Sequence, residues 1–208
     1  MTLKNNLLAL ALMCSCFAFS IPTDSIFIKM PKHLIPSLSP KQRFELAEYA
    51  KAGKKDSVLN QFNKKVILQK YDTASCSISL RTTETSTIEL RRLNMPSFDK
   101  AVLALIQTVE LPTKLSTITF YTEIWQPINI QLQLPTIDQW IDNEKLKTTS
   151  ISDTLVKSML DKKYFSLSFT DNNELEIQNH VLTTLSKEEK KTVADFFLDK
   201  TITIKIAK

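Results

Sequence analysis

The sequence predicts an α+β fold, a mainly antiparallel β-sheet with several short helices packed on one face or at its ends. Three observations predict it. Many short segments alternate apolar and polar residues with period two, the mark of strands half in and half out of a core. The helical stretches among them are capped and amphipathic, but they do not alternate regularly with the strands as a parallel α/β sheet requires. The chain also holds a single glycine, Gly53. Phosphate-cradling loops, dinucleotide folds and nucleophile elbows need glycine where backbone approaches a ligand or turns with positive φ. None of these can be written here, and turns must rely on Asn, Asp and Pro.

In chain order, Lys4 precedes an apolar run from Leu7 to Phe19, and Ala18 and Ser20 flank Phe19. That is the pattern of a secretory signal peptide over residues 1–20, too short for a membrane span of about twenty apolar residues. The mature part is then one α+β domain over 21–208, with a possible subdivision near 142–150. Cys14 and Cys16 close the apolar run, and a lipid anchor through Cys16 is the alternative fate for this end. Removing residues 1–20 takes away Lys4 and no acid, so the formal charge falls from +5 to +4. The basic residues are dispersed among acids, which describes a solvated surface and no nucleic-acid partner. Cys76 is left alone; it shares a strand face with Ile78 and Leu80 and reads as a small buried apolar residue.

A Pro-punctuated leading segment covers Ile21 to Ile35. Ser39-Pro40-Lys41-Gln42 begins a helix, with Ser39 as N-cap, Pro40 at its first position and Gln42 completing a capping box; Gly53 stops it after Ala52. A second short helix is expected over about 55–62, carrying Val58, Leu59 and Phe62. Strands follow at Lys65–Tyr71, Cys76–Thr82 and Thr87–Leu93. Ala101–Val109 is almost wholly apolar and suits a central strand buried on both faces, with a helix as rival. Thr117–Thr122 alternates, with Ile118 and Phe120 inward. The cleanest strand is Ile128–Leu134, ended by Pro135. Thr136–Ile141 is read as a short helix and Asp142–Thr149 as the best candidate linker. Ser152–Leu160 is an amphipathic helix. Tyr164–Phe169, the turn Asp171-Asn172-Asn173 and Glu174–Ile177 form a hairpin. A helix over Lys187–Leu198 and a strand bearing Ile202, Ile204 and Ile206 close the chain. Ser186 to Glu189 repeats the capping pattern of Ser39 to Gln42, so a duplicated helix-plus-sheet unit and a chance likeness of two caps are both open.

For chemistry, His33 and His180 are the two histidines. No Cys or acid stands at ligand spacing from either, and both read as exposed loop residues. The acid pairs Glu174/Glu176 and Glu188/Glu189 read as a wet hairpin face and a charged first helical turn. No metal, cofactor or catalytic residue is expected. Tyr121, Trp125 and Trp140 are the candidate binding surface, since exposed Tyr and Trp suit a glycan or peptide; core packing is the rival.

The residues Met30-Pro31, Leu34-Ile35-Pro36, Leu38-Ser39, Arg43, Val58-x-Asn60, Thr108-Val109, Pro112 and Ser116-x-Ile118-x-Phe120-Tyr121 with Trp125, followed by a hairpin, a capped helix and a last strand, resemble the exported domain-of-unknown-function family 3256 of Bacteroidales. The resemblance covers essentially the whole mature chain. Where that family often carries a glycine after Val-x-Asn, this chain has Gln61-Phe62-Asn63-Lys64. The resemblance implies a bacterial cell-envelope or secreted protein with no assigned activity, and it carries over no functional residues. The expected function is therefore an exported envelope protein, not an enzyme, that binds a protein or peptide. A hydrolase without a recognisable motif and a lipid-anchored accessory subunit are the alternatives.

Overall fold

The computed structural model describes residues 22–54, 56–73 and 77–206. The expected signal peptide, Cys14, Cys16 and Cys76 lie outside them. Seven strands form a meander in chain order: β1 (Ser57–Leu59), β2 (Lys65–Asp72), β3 (Ser77–Thr83), β4 (Ser86–Leu93), β5 (Val102–Val109), β6 (Leu115–Thr122) and β7 (Pro127–Ile128). A second sheet has β8 (Phe165–Phe169), β9 (Glu174–Asn179) and β10 (Thr201–Lys205), with β9 in the middle. Every pairing between these strands is antiparallel, as alternating segments joined by tight turns should be.

Period-two alternation divides the large sheet between two cores. Val66, Leu68, Ile78, Leu80, Ile88, Leu90, Leu103, Leu105 and Tyr121 face one side, against residues of α1 (Thr23–Ile28) and α2 (Pro40–Lys51). Val102, Ala104, Ile106 and Phe120 face the other, against Phe165, Leu167, Phe169, Leu175 and Ile177 of the small sheet. β5 serves both cores, which is why Val102 to Ile106 are apolar without a break and wholly buried. A third core gathers α3 (Asn143–Lys147), α4 (Asp153–Leu160) and α5 (Lys187–Val193) around Val156, Leu160, Val181 and Val193. Helices thus lie on one face of the large sheet and beyond the end of the small one.

Both capping boxes form, at Ser39/Gln42 and at Ser186/Glu189. The two helices lead into unlike structures: α2 into a seven-stranded meander, α5 into a single strand. The echo in sequence is shared capping chemistry. α2 ends as expected, with Gly53 at φ +68° and Lys54 N–H donating to the Tyr49 carbonyl.

Four stretches differ from expectation. The leading segment contains α1. The helix expected over 55–62 is instead β1 and a turn. The Asn60 side chain accepts from Phe62 N and Lys64 N at 2.8 and 3.0 Å, and Asn63 adopts φ +56°. This is the stretch where the resembled family often has a glycine, and Asn is the residue that best tolerates that conformation after glycine. The stretch read as a linker holds α3, with Leu146 buried and Asp142 N–H donating to the Phe196 carbonyl. The fourth is Ile128–Leu134. Only Ile128 pairs, with Phe120 of β6. Residues 129–133 keep the alternating burial of a strand, Leu134 is exposed, and none of them joins either sheet.

Candidate functional site

The three aromatics expected at a binding surface are buried, Trp140 completely and Tyr121 and Trp125 at 8% exposure each. They also lie in different cores. The turn after β6 places Trp125 at φ +65°, which swings its indole inward beside Tyr121, with ring centroids 5.5 Å apart, and lets Nε1 donate to the Ile26 carbonyl at 3.1 Å. Trp140 stacks on Phe165 at 5.3 Å and donates from Nε1 to the Lys200 carbonyl at 2.9 Å. An indole with its N–H satisfied inside has no reason to face water. The surface expected at Tyr121, Trp125 and Trp140 is therefore corrected to core packing.

Several residues that carry the family resemblance also turn out to hold the frame. Arg43 is buried and donates to the Met30 carbonyl. Together with the Trp125–Ile26 bond this pins the leading segment across the large sheet. Thr108 and Ser116 share a hydroxyl hydrogen bond of 2.7 Å between β5 and β6.

Sites appear at the two edges of the small sheet. Thr170 N–H donates to the Glu174 carbonyl, and His180 N–H to the Tyr164 carbonyl. Even-numbered residues of β8 therefore bond to β9, and Phe165, Leu167 and Phe169 turn their backbone groups the other way. There the large sheet receives them: Leu167 N–H donates to Ser116 Oγ at 3.0 Å and Phe169 N–H to Glu89 Oε2 at 3.4 Å. Arg91, 1% exposed, donates to the Thr170 carbonyl, to Asn173 Oδ1 and to Glu89, and lies over the Phe169 ring. Burial pushes the Glu89 carboxyl above the usual carboxylate range, against the pull of Arg91.

Beside this seal lies a polar cleft of about 490 Å³ between β8 and the face of the large sheet, lined among others by Arg81, Glu84, Glu89, Lys114, Ser166 and Gln178. Ser166 Oγ is 2.8 Å from His180 Nε2. Burial first, and the nearby Lys114 charge second, lower the His180 pKa, opposed by Asp199. His180 is thus half-buried and paired, not the free loop residue the sequence suggests, whereas His33 is exposed. The hairpin register makes this findable. Ser166 pairs with Gln178, so His180 is its diagonal neighbour on the same face. Glu176 accepts a hydrogen bond from Ser168 on the exposed hairpin face, and Glu189 closes its capping box. Among the described residues no group of three or more His, Cys, Asp or Glu is placed to hold a metal ion.

The other edge is open. By the same parity, Ile202 and Ile204 of β10 bond to β9, and Thr201, Thr203 and Lys205 point their backbone groups away. Of these, Lys205 lines a groove of about 700 Å³ whose opposite wall is residues 129–133 and whose lining includes Met95, Phe98, Ile204 and Ile206. At one end the walls meet: Ile141 bridges Phe197, and Leu198 N–H donates to the Trp140 carbonyl. The pairing stops because the 3-10 turn Ile137–Trp140 and Pro135, which has no N–H to donate, carry the chain away. Among the described residues, the backbone N–H groups of Ile130, Gln131 and Gln133 meet no hydrogen-bond partner.

Comparison with known proteins gives a family and a fold. The family model described as "Protein of unknown function (DUF3256)" matches residues 17–207. No curated protein matches the chain. A solved structure described as a domain of an uncharacterized protein from Porphyromonas gingivalis W83 aligns with a TM-score of 0.67 at 22% identity, over 86% of this chain and 91% of that one. At that identity the likeness shows the shared fold.

Proposed function

We propose, for a chain that belongs to the DUF3256 family, that it is a peptide- or protein-binding module whose groove takes an extended segment of another envelope protein as an added strand. The observation that carries this reading is the pair of groove walls. Thr203 and Lys205 on one side and Gln131 and Gln133 on the other carry outward backbone groups without partners, two residues apart as in a strand edge. An exposed strand edge is a template for another strand, and strand addition satisfies it with main-chain hydrogen bonds while pockets read alternate side chains. Met95, Phe98 and Ile204 supply the apolar floor, and Asn129, Gln131, Gln133 and Lys205 the polar rim. The preferred occupant is therefore an extended peptide with apolar residues at every second position.

Amide hydrogen exchange tests this, using synthetic heptapeptides of alternating apolar and polar residues, and controls of the same composition with the apolar residues in one block. Alternating peptides are expected to slow exchange at 130–133, Thr203 and Lys205, and the controls to leave it unchanged. Equal exchange with both sets removes the reading. Slow exchange of those amides in the free chain also removes it, because the walls would then already pair with each other.

The same reading makes the protein exported, with cleavage after Ser20. It rests on the Lys4 and Leu7–Phe19 pattern, and among the described residues no helix is long and apolar enough to cross a membrane. Amino-terminal sequencing of the chain recovered from its native envelope should begin at Ile21. An unchanged membrane distribution of the Cys16→Ser variant would sink the lipid-anchored alternative.

A further inference from the structure

We propose that Ser166 is an acyl-accepting nucleophile and His180 its general base, acting in the polar cleft beside β8 on esters of small carboxylic acids. A serine hydroxyl is a weak nucleophile until an adjacent base takes its proton, and the base must lie within about 2.6–3.2 Å. Ser166 Oγ and His180 Nε2 are 2.8 Å apart. The backbone fixes both. Ser166 is held in register against Gln178, His180 N–H is bonded to the Tyr164 carbonyl, and the His180 carbonyl accepts from Thr183 N–H and Oγ1. The imidazole is half-buried, and the charged groups felt by it are Lys114 and Asp199. Burial and Lys114 together favour the neutral ring, which is the form that accepts a proton. Ser166 opens onto the cleft, and Lys114 and Arg81 are the cations on its walls. A volume of about 490 Å³ lined mainly by polar groups suits a small acyl ester better than a long lipid chain.

The step balances without a cofactor. Ser166 Oγ bonds to the ester carbonyl carbon as its proton passes to His180 Nε2. The ester C–O bond then breaks, and the alcohol leaves with that proton. Water, giving its proton to the same nitrogen, cleaves the acyl-serine to the free acid and restores the hydroxyl.

The test treats the mature chain with a fluorophosphonate, which traps activated serines, and locates the adduct by peptide mass mapping. The expected result is one adduct, on Ser166, with labelling at least about 100-fold slower in His180→Gln, the loss a positioned base is worth. Ser166→Ala should take no label and should not release para-nitrophenol from para-nitrophenyl acetate, while wild type does. Mapping on the wild-type chain needs no variant to fold, and melting curves certify the variants. No adduct, an adduct on another serine, or unchanged labelling of a folded His180→Gln variant would each reduce the pair to a structural hydrogen bond and overturn the proposal.

Discussion

Strand β8 hands its outward N–H groups to Ser116 and Glu89 of the large sheet, whereas strand β10 points those of Thr203 and Lys205 away from β9 without an acceptor, Lys205 on the wall of a groove. Both are edges of one three-stranded sheet, both carry inward Ile, Leu or Phe, and both close the same core. The difference lies in what stands opposite. Against β8 the large sheet offers side-chain acceptors on two fixed strands. Against β10 it offers only the segment after β7, which Pro135 and a 3-10 turn divert before pairing is complete. A sheet edge is thus sealed by polar side chains at matching heights or stays available, and this molecule has one of each.

Arg91→Ala attacks the seal most severely. It strands the part-buried Glu89 carboxylate and removes the donors to Thr170 and Asn173. Breaking a buried pair by deleting one partner costs about 3–5 kcal/mol. The denaturant midpoint should fall accordingly, and the double variant Arg91→Met, Glu89→Gln should recover much of the loss. A cost near zero for Arg91→Ala would mean that the hairpin is held by its apolar face alone. Ser116→Ala comes next. It leaves Leu167 N–H buried without an acceptor, at a cost of about 1–3 kcal/mol. Exchange of the Leu167 amide should accelerate with it.

Much of this architecture can be read from the chain and part of it cannot. Alternation places β2 to β4, β6 and β8 to β10, an unbroken apolar run suits β5, and the capping residues Ser39 and Ser186 stand at two helix starts. These are local signals set by the period of each element. Whether a strand-like segment finds a partner is not local. Ile128–Leu134 has the most regular alternation in the sequence and yet stays unpaired after Ile128, ahead of Pro135 and the 3-10 turn Ile137–Trp140. Tyr121, Trp125 and Trp140 mislead for a related reason: composition does not say which way a turn swings a ring. His180 looks free in the sequence because no partner stands near it there. Its partner lies across a hairpin whose turn is legible, and the register supplies Ser166.

Acid titration offers a gentler probe of the sealed edge. Glu89 has a folded pKa above its ordinary value, so the folded state binds the proton more tightly than the unfolded one. Its contribution to stability is complete below the ordinary carboxylate range and is lost as pH rises through the folded pKa. Wild type should therefore gain stability relative to Glu89→Gln as pH falls through that window, measured as the difference in urea midpoints. Using the difference matters, because Asp24, Asp138 and Asp171 have lowered pKa values and lose their contributions in the same direction of titration. A difference that stays flat with pH would show that Arg91 offsets the burial of Glu89 completely.

The smallest effect on stability is expected at the open edge. Thr203 N–H points away from β9 and takes no part in its ladder, so Thr203→Pro removes no sheet hydrogen bond, and proline is tolerated at such edge positions. The change should stay within about 1 kcal/mol of the parent. Ile202→Pro, one residue away, removes a ladder donor to β9 and should cost clearly more. The two variants together read the parity of β10 directly. If Thr203→Pro keeps the fold and also abolishes the slowing of exchange by alternating peptides, the free N–H of this edge is what the bound strand uses. If peptide protection survives in Thr203→Pro, the occupant leans on residues 129–133 instead, and the open edge of β10 is only the far wall of its groove.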